Sequence, residues 1–192
     1  MNIIMSMLSA FGLSTAAGLN AYLPLLTVGL LARYTNLIHL SEPYTLLSNP
    51  VVLLVIAVLA LLDFIGDKIP AVDHALHSAG LLIAPVAGAI LFMSANSGAG
   101  SVSPILAAIC GIVVAGATHS ARAGVRPLAT FTTAGVANPV ISFLEDVTSL
   151  ILSVLAILVP VLAVLLVLSF ALLMFMLYRR LRGRRVAPQQ SA

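Results

Sequence analysis

Apolar residues run in long, nearly unbroken blocks along this chain, and polar residues are confined to a few breaks between them. A block of about 20 apolar residues is what a helix needs to cross a hydrocarbon core about 30 Å thick. The pattern predicts six such spans, at 2–17, 50–69, 80–95, 103–120, 139–159 and 161–178. Pro160 divides the last two, because an interior proline removes a hydrogen bond and crowds the preceding turn. Two further apolar stretches, 21–33 and 127–137, are too short to cross, and each follows a glycine-containing break, Gly18-Leu19-Asn20 and Gly124-Val125-Arg126. Such segments are expected as re-entrant half-helices, tolerated where protein or water covers the free backbone groups. Asn49-Pro50 and Asn138-Pro139 each open a long block. Asparagine caps a first turn, and proline fits there because that amide has no partner to lose. The N-terminal block lacks a basic leader and is read as a retained span rather than a signal peptide.

The two short segments resemble each other: Thr15–Leu30 lies over Ser120–Gly135 with a gap, and Ser48–Val51 over Ala137–Val140 in the same order. The expectation is an all-α polytopic membrane protein with an inverted three-plus-three repeat, its halves at 1–95 and 103–178 and a basic tail at 179–192. Charge sets the orientation. With the tail inside, Lys68, Arg122 and Arg126 also fall inside and the uncharged loop 95–102 falls outside, Arg33 being the exception. Both termini are then cytoplasmic, in a bacterial inner membrane. Gly80, Ala84 and Gly88, and likewise Ala107, Gly111 and Ala115, recur at four-residue spacing, a stripe that lets helices approach closely in lipid.

Composition narrows the class. Of the 192 residues 61% are hydrophobic and 8% charged, against about 25% charged in soluble domains, which excludes both a water-soluble globule and a disordered chain. The formal charge of +3 comes from Arg179, Arg180, Arg182, Arg184 and Arg185, which leave a body at −2. The arginine cluster is a juxtamembrane anchor facing the lipid bilayer, not a nucleic-acid surface, and nucleic acid is not an expected partner. Cys110 stands alone in an Ala/Gly/Ile/Val run and is read as a packing residue.

Polar residues inside the blocks carry the chemistry. A carboxylate at mid-membrane costs about 2.5–3.5 kcal/mol and normally faces a bundle interior. Asp63 and Asp67 sit one turn apart with Lys68 beside them, while Glu145 and Asp146 share a helix with Ser142, Ser149 and Ser153. At about 1.5 Å per residue, Glu145 lies roughly 9 Å from Pro139, and Asp63 roughly 20 Å from Pro50 on the other side, so both acids reach a similar depth. Two readings stand for this group: an interior polar site, or helix ends in which Ser142 and Glu145 form a capping box. His119, Arg122 and Arg126 stand at the second break, either neutralising Glu145 or Asp146 or lying in a cytoplasmic loop. Asp73, His74 and His77 form a weak metal-ligand pattern, since structural zinc sites take four ligands, and an exposed interfacial turn is the plainer reading. No nucleophile elbow, phosphate loop or metalloprotease motif is present, so no enzyme is expected.

Leu62-Asp63-Phe64-Ile65-Gly66-Asp67-Lys68-Ile69-Pro70-Ala71-Val72-Asp73 resembles the acid–Asp-Lys-x-Pro-x-x-Asp signature of the membrane family of domain of unknown function 4126. Asn138-Pro139, Ser142 and Glu145-Asp146 resemble its second signature, and Gly18-Leu19-Asn20 stands where that family usually has Gly-x-Arg. The resemblance implies architecture and candidate residues, and no reaction. The function expected is a transporter or channel-like permease for a small solute or ion. In it Asp63, Asp67, Lys68, Glu145 and Asp146 would bind a cation or coupling proton, with Asn20, His119, Arg122 and Arg126 lining the broken segments. The alternatives are a flippase for a lipid headgroup and a non-transporting scaffold or assembly factor, with a homo-oligomer left open. No cofactor beyond a coupling proton or cation is implied.

Overall fold

The computed structural model describes residues 2–67, 69–97, 102–133 and 138–184, with some side chains of α4, α5 and α7 below outside that description. All secondary structure among these residues is helical: α1 (Ile3–Leu19), α2 (Tyr22–Tyr34), α3 (Pro50–Gly66), α4 (Pro70–Ser97), α5 (Pro104–Thr133), α6 (Asn138–Leu158) and α7 (Pro160–Arg184), with one 3-10 turn at Tyr44–Ser48. Four of the seven begin on proline, whose fixed φ suits a first turn and whose missing amide would have had no partner there. At α3 the Asn49 side chain accepts from the Val51 amide at 2.9 Å, so the cap expected from Asn49-Pro50 is formed.

Three segments are long and apolar enough to cross a bilayer, Ser78–Ser97, Pro104–Gly124 and Asn138–Leu158, and the other predicted blocks fall on the shorter apolar helices Ile3–Leu19, Pro50–Gly66 and Pro160–Leu173. The surface has the polarity of a helical membrane protein. Leu82, Ile105 and Val51 are 76%, 75% and 67% exposed, while the interior is rich in alanine: Ala10, Ala16, Ala17, Ala115, Ala156 and Ala163 are fully buried, with Leu91 and Phe92 among them. Many large apolar side chains outside and many alanines inside is the arrangement that packing, rather than expulsion of water, favours in lipid. The α4–α5 contact illustrates it. A Cβ on Gly88 would overlap Ala115 and meet the Gly111 carbonyl oxygen at 2.6 Å, so the predicted small-residue stripes face each other.

Cross-helix contacts fix the directions. Ser14 donates to the Gly88 carbonyl at 2.9 Å and the Phe11 and Phe92 rings meet edge-on at 5.1 Å, which makes α1 and α4 antiparallel. Gly88 packs on Gly111 and Gly80 on His119, so α4 and α5 are antiparallel and α1 and α5 run the same way. Ser149 donates to the Ala16 carbonyl and Gly12 packs on Ala156, setting α6 against α1. Asp67 meets Ser142 while Asp63 and Asp146 share Asn20, setting α3 against α6. The proposed alignment pairs α1 with α5 and α3 with α6; an inverted relation requires both pairs to oppose, and only the second does.

Two element boundaries differ from the expectation. α5 runs unbroken through Gly124-Val125-Arg126 to Thr133, so 127–133 belongs to a 30-residue helix rather than a separate half-helix; residues 134–137 lie outside the described residues. The stretch 70–79 is the start of α4, a 28-residue helix about 42 Å long. The first predicted break is formed. α1 stops at Leu19, Asn20 is extended (φ −144°, ψ 122°), and α2 turns back toward the end where α1 begins.

Candidate functional site: an asparagine and an arginine among four carboxylates

The break at Asn20 exists because its side chain replaces what the helix gives up. Asn20 Oδ1 accepts from the amides of Tyr22 at 2.9 Å and Leu23 at 3.1 Å, capping the first turn of α2. The amide nitrogen serves the other direction. Asn20 Nδ2 donates to Asp63 Oδ2 at 3.1 Å on α3 and to Asp146 Oδ1 at 2.8 Å on α6. A carboxamide has two donor hydrogens and two acceptor lone pairs, and all four are used. Asn20 is 4% exposed, so each bond is made out of bulk water, where hydrogen bonds to charged groups contribute about 1.5–3 kcal/mol.

Arg122 organises the second pair of acids. Its Nε lies 2.7 Å from Glu145 Oε2, an ion pair by distance rather than an aligned hydrogen bond, and its Nη2 lies 3.4 Å from Asp67 Oδ2. Its Nη1 donates to the Leu19 carbonyl, the last of α1. That reach depends on Gly18, where a Cβ would overlap Thr118 and come 2.6 Å from the Ala115 carbonyl oxygen, so α5 lies directly against the end of α1. Ser142 donates to Asp67, and Ser149 donates to the Ala16 carbonyl at 2.9 Å. The helix α6 begins at Asn138, four residues before Ser142, and Ser142 is fully buried against α3. The capping-box reading of Ser142 and Glu145 is therefore replaced by an interhelical one.

Of the predicted site residues, Asn20, Asp63, Asp67, Arg122, Glu145 and Asp146 come together. His119 is buried at 2% and, with Tyr22, Gly80, Ala84 and the acids of α3, lines a cavity of about 40 Å³ at the break, room for water or a bare ion. The carboxylates do not converge on one point, because an amide stands between one pair and a guanidinium between the other, and no group of three or more metal-ligating side chains forms among the described residues. Lys68 and the side chains of Asp73, His74, His77 and Arg126 lie outside the described residues. Sequence reasoning placed Ser142 and Ser149 on a polar stripe without giving them partners. The signal was the spacing 142, 146, 149, 153, one face of a helix, and all four side chains are buried.

A family model, domain of unknown function (DUF4126), matches residues 7–180, and the chain belongs to that family. No curated protein and no solved structure matches it.

Proposed function

We propose that this family member is a membrane permease for a small solute or ion, in which the carboxylates around Asn20 and Arg122 take up a coupling proton. The observation that carries the reading is the gathering itself: four carboxylates meet the Asn20 amide and the Arg122 guanidinium at one helix break, on helices whose other faces are apolar. A carboxylate at membrane depth costs about 2.5–3.5 kcal/mol and is kept where it serves a site inside the bundle, and a carboxylate can exchange a proton while it keeps its hydrogen-bond partners. A proton needs no ligand cage, which suits acids held apart in pairs. The break between α1 and α2 places α2's capped first turn at the same spot, the kind of interrupted helix on which transporter sites are built. In this reading the acid end, which carries Arg122, faces the cytoplasm. Helix α1 runs from its first residue to Asn20 at that end, so the N-terminus would lie on the opposite side and not in the cytoplasm with the C-terminal tail, as the charge pattern alone implied.

The test is reconstitution of the full chain in vesicles loaded with a pH-sensitive dye, with proton, sodium, potassium and small neutral solute fluxes compared with empty vesicles. Asp63→Asn keeps an oxygen to accept from Asn20 and removes the charge. It should abolish proton-driven flux, at least tenfold, while the protein still folds and elutes as a single species in detergent. Vesicles no more permeable than empty ones, or an Asp63→Asn protein with full flux, would overturn the reading; scrambling of a fluorescent lipid without solute flux would transfer it to lipid headgroups.

A further inference from the structure

We propose that the end of the bundle opposite the acid cluster holds a second binding site, for a small uncharged molecule bearing a hydroxyl or carbonyl group on an apolar body. A cavity of about 270 Å³ lies there, lined by Ser6, Ser9 and Leu13 of α1, Val28 of α2, His39 of the following loop and Ser94 of α4. Leu13 and Ala17, which line the two cavities, are one turn of α1 apart, about 6 Å along the axis. The second site does not depend on the transport reading.

Two serines carry the inference. Ser6 and Ser9 are 2% and 3% exposed, and a buried hydroxyl in a helix usually donates to the carbonyl one turn back, as Thr15 does to Phe11 and Ser153 to Ser149. The Ser6 and Ser9 hydroxyls do not, and they bond no other group among the described residues. Both hydroxyls open on the cavity instead of into packed protein, and the space they line is large enough to hold a partner for them. Ser94 donates to the Leu91 carbonyl at 2.9 Å, which leaves its oxygen free to accept, and His39 adds ring nitrogens at the rim. Leu13 and Val28, each 2% exposed, supply apolar wall.

The ligand class follows from this lining. Among the described residues no Asp, Glu, Lys or Arg lines the cavity, so an ion would lose its hydration without a fixed counter-charge. A guest with one or two hydroxyls meets serine donors and acceptors at one end and leucine and valine at the other. A dry cavity of about 150 Å³ takes benzene, so about 270 Å³ has room for a guest of roughly eight to ten heavy atoms.

The experiment uses the full chain in lipid nanodiscs, with Cys110→Ser removing the native thiol and Ser94→Cys placing one in the cavity wall. Alkylation by N-ethylmaleimide is timed with 1,2-hexanediol, hexanoate or hexylammonium present. The diol should slow alkylation at least threefold at millimolar concentration, and the two charged chains of equal length should leave the rate within about one and a half times its starting value. Adding Ser6→Ala and Ser9→Ala should raise the diol concentration needed at least fivefold. As a readout independent of thiol reactivity, the diol should raise the melting temperature of the unsubstituted chain and leave that of the Ser6→Ala/Ser9→Ala protein unmoved. Protection by all three probes alike, or by none, or a melting shift that survives loss of both serines, would overturn the proposal.

Discussion

Asn20 and Asp146 lie 126 positions apart, yet the amide nitrogen of the first donates to the carboxylate of the second at 2.8 Å. This bond ties the place where α1 stops to the buried stripe of α6. The same nitrogen also holds Asp63, and the oxygen beside it caps α2. The α1–α2 break and the gathering of the acids are thus one structural feature, built on a single side chain.

Asn20→Asp tests that unity with almost no change of shape. The remaining oxygen can still cap Tyr22 and Leu23, but the donor facing Asp63 and Asp146 becomes a third acceptor, and like charge is added at hydrogen-bond distance from both. The variant should lose about 3 kcal/mol or more of stability, read as a lower melting temperature and aggregation in detergent. Adding Asp146→Asn returns a donor to the pair and should recover at least half of the loss. A double variant no better than the single one would show that the contact contributes nothing directional.

Two glycines, each inside a long helix, should respond in opposite ways. Gly88→Ala puts a methyl into Ala115 and against the Gly111 carbonyl, with backbone on one side and no flexible side chain to yield. It should separate α4 from α5 and lower the melting temperature by several degrees. A methyl group on Gly124 would meet nothing within 4 Å, and alanine in a helix interior is favoured over glycine by about 1 kcal/mol. Gly124→Ala should therefore be neutral or stabilising in the same melting assay.

The contrast between Asn20 and Gly124 also explains what could be read from the chain before folding. Apolar blocks and prolines located the helices, and the spacing of Ser142, Asp146, Ser149 and Ser153 located the buried face of α6, because these are properties of neighbours in sequence. Breaks were harder, since glycine marks both. A helix in an apolar setting keeps its ladder unless something else satisfies the freed groups. Asn20 does so with its own oxygen, while Gly124 has no side chain with which to do it, and its cost of about 1 kcal/mol is too small to interrupt α5. Which acid pairs with which cation was not legible, because it depends on helix directions that only the packing of Gly18 on α5 and Gly88 on Gly111 establishes.

Continuity of α5 has its own test. Spin labels placed singly at positions 118 to 128 should give accessibilities to oxygen that rise and fall with a period of about 3.6 residues across Gly124. Loss of that period beyond residue 124 would restore the half-helix expected from the sequence pattern.

Arg122 offers the sharpest separation of charge from geometry. Its guanidinium meets the Leu19 carbonyl, Asp67 and Glu145 at once, with side-chain exposures of 10%, 4% and 14% for Arg122, Asp67 and Glu145. Arg122→Gln would leave two shielded carboxylates facing an uncharged amide, and breaking such a pair from one side costs about 3–5 kcal/mol. Arg122→Lys keeps the charge, but a single ammonium cannot hold three partners placed for a planar fork, so it should fall between the wild type and Arg122→Gln. Adding Glu145→Gln to Arg122→Gln removes one of the two charges that faced the guanidinium and should restore about 1 kcal/mol or more of the loss. The ranking wild type, Arg122→Lys, Arg122→Gln/Glu145→Gln, Arg122→Gln can be read from melting temperatures in one detergent. If Arg122→Gln melted with the wild type, the guanidinium would have no net role in holding α1, α3, α5 and α6 together.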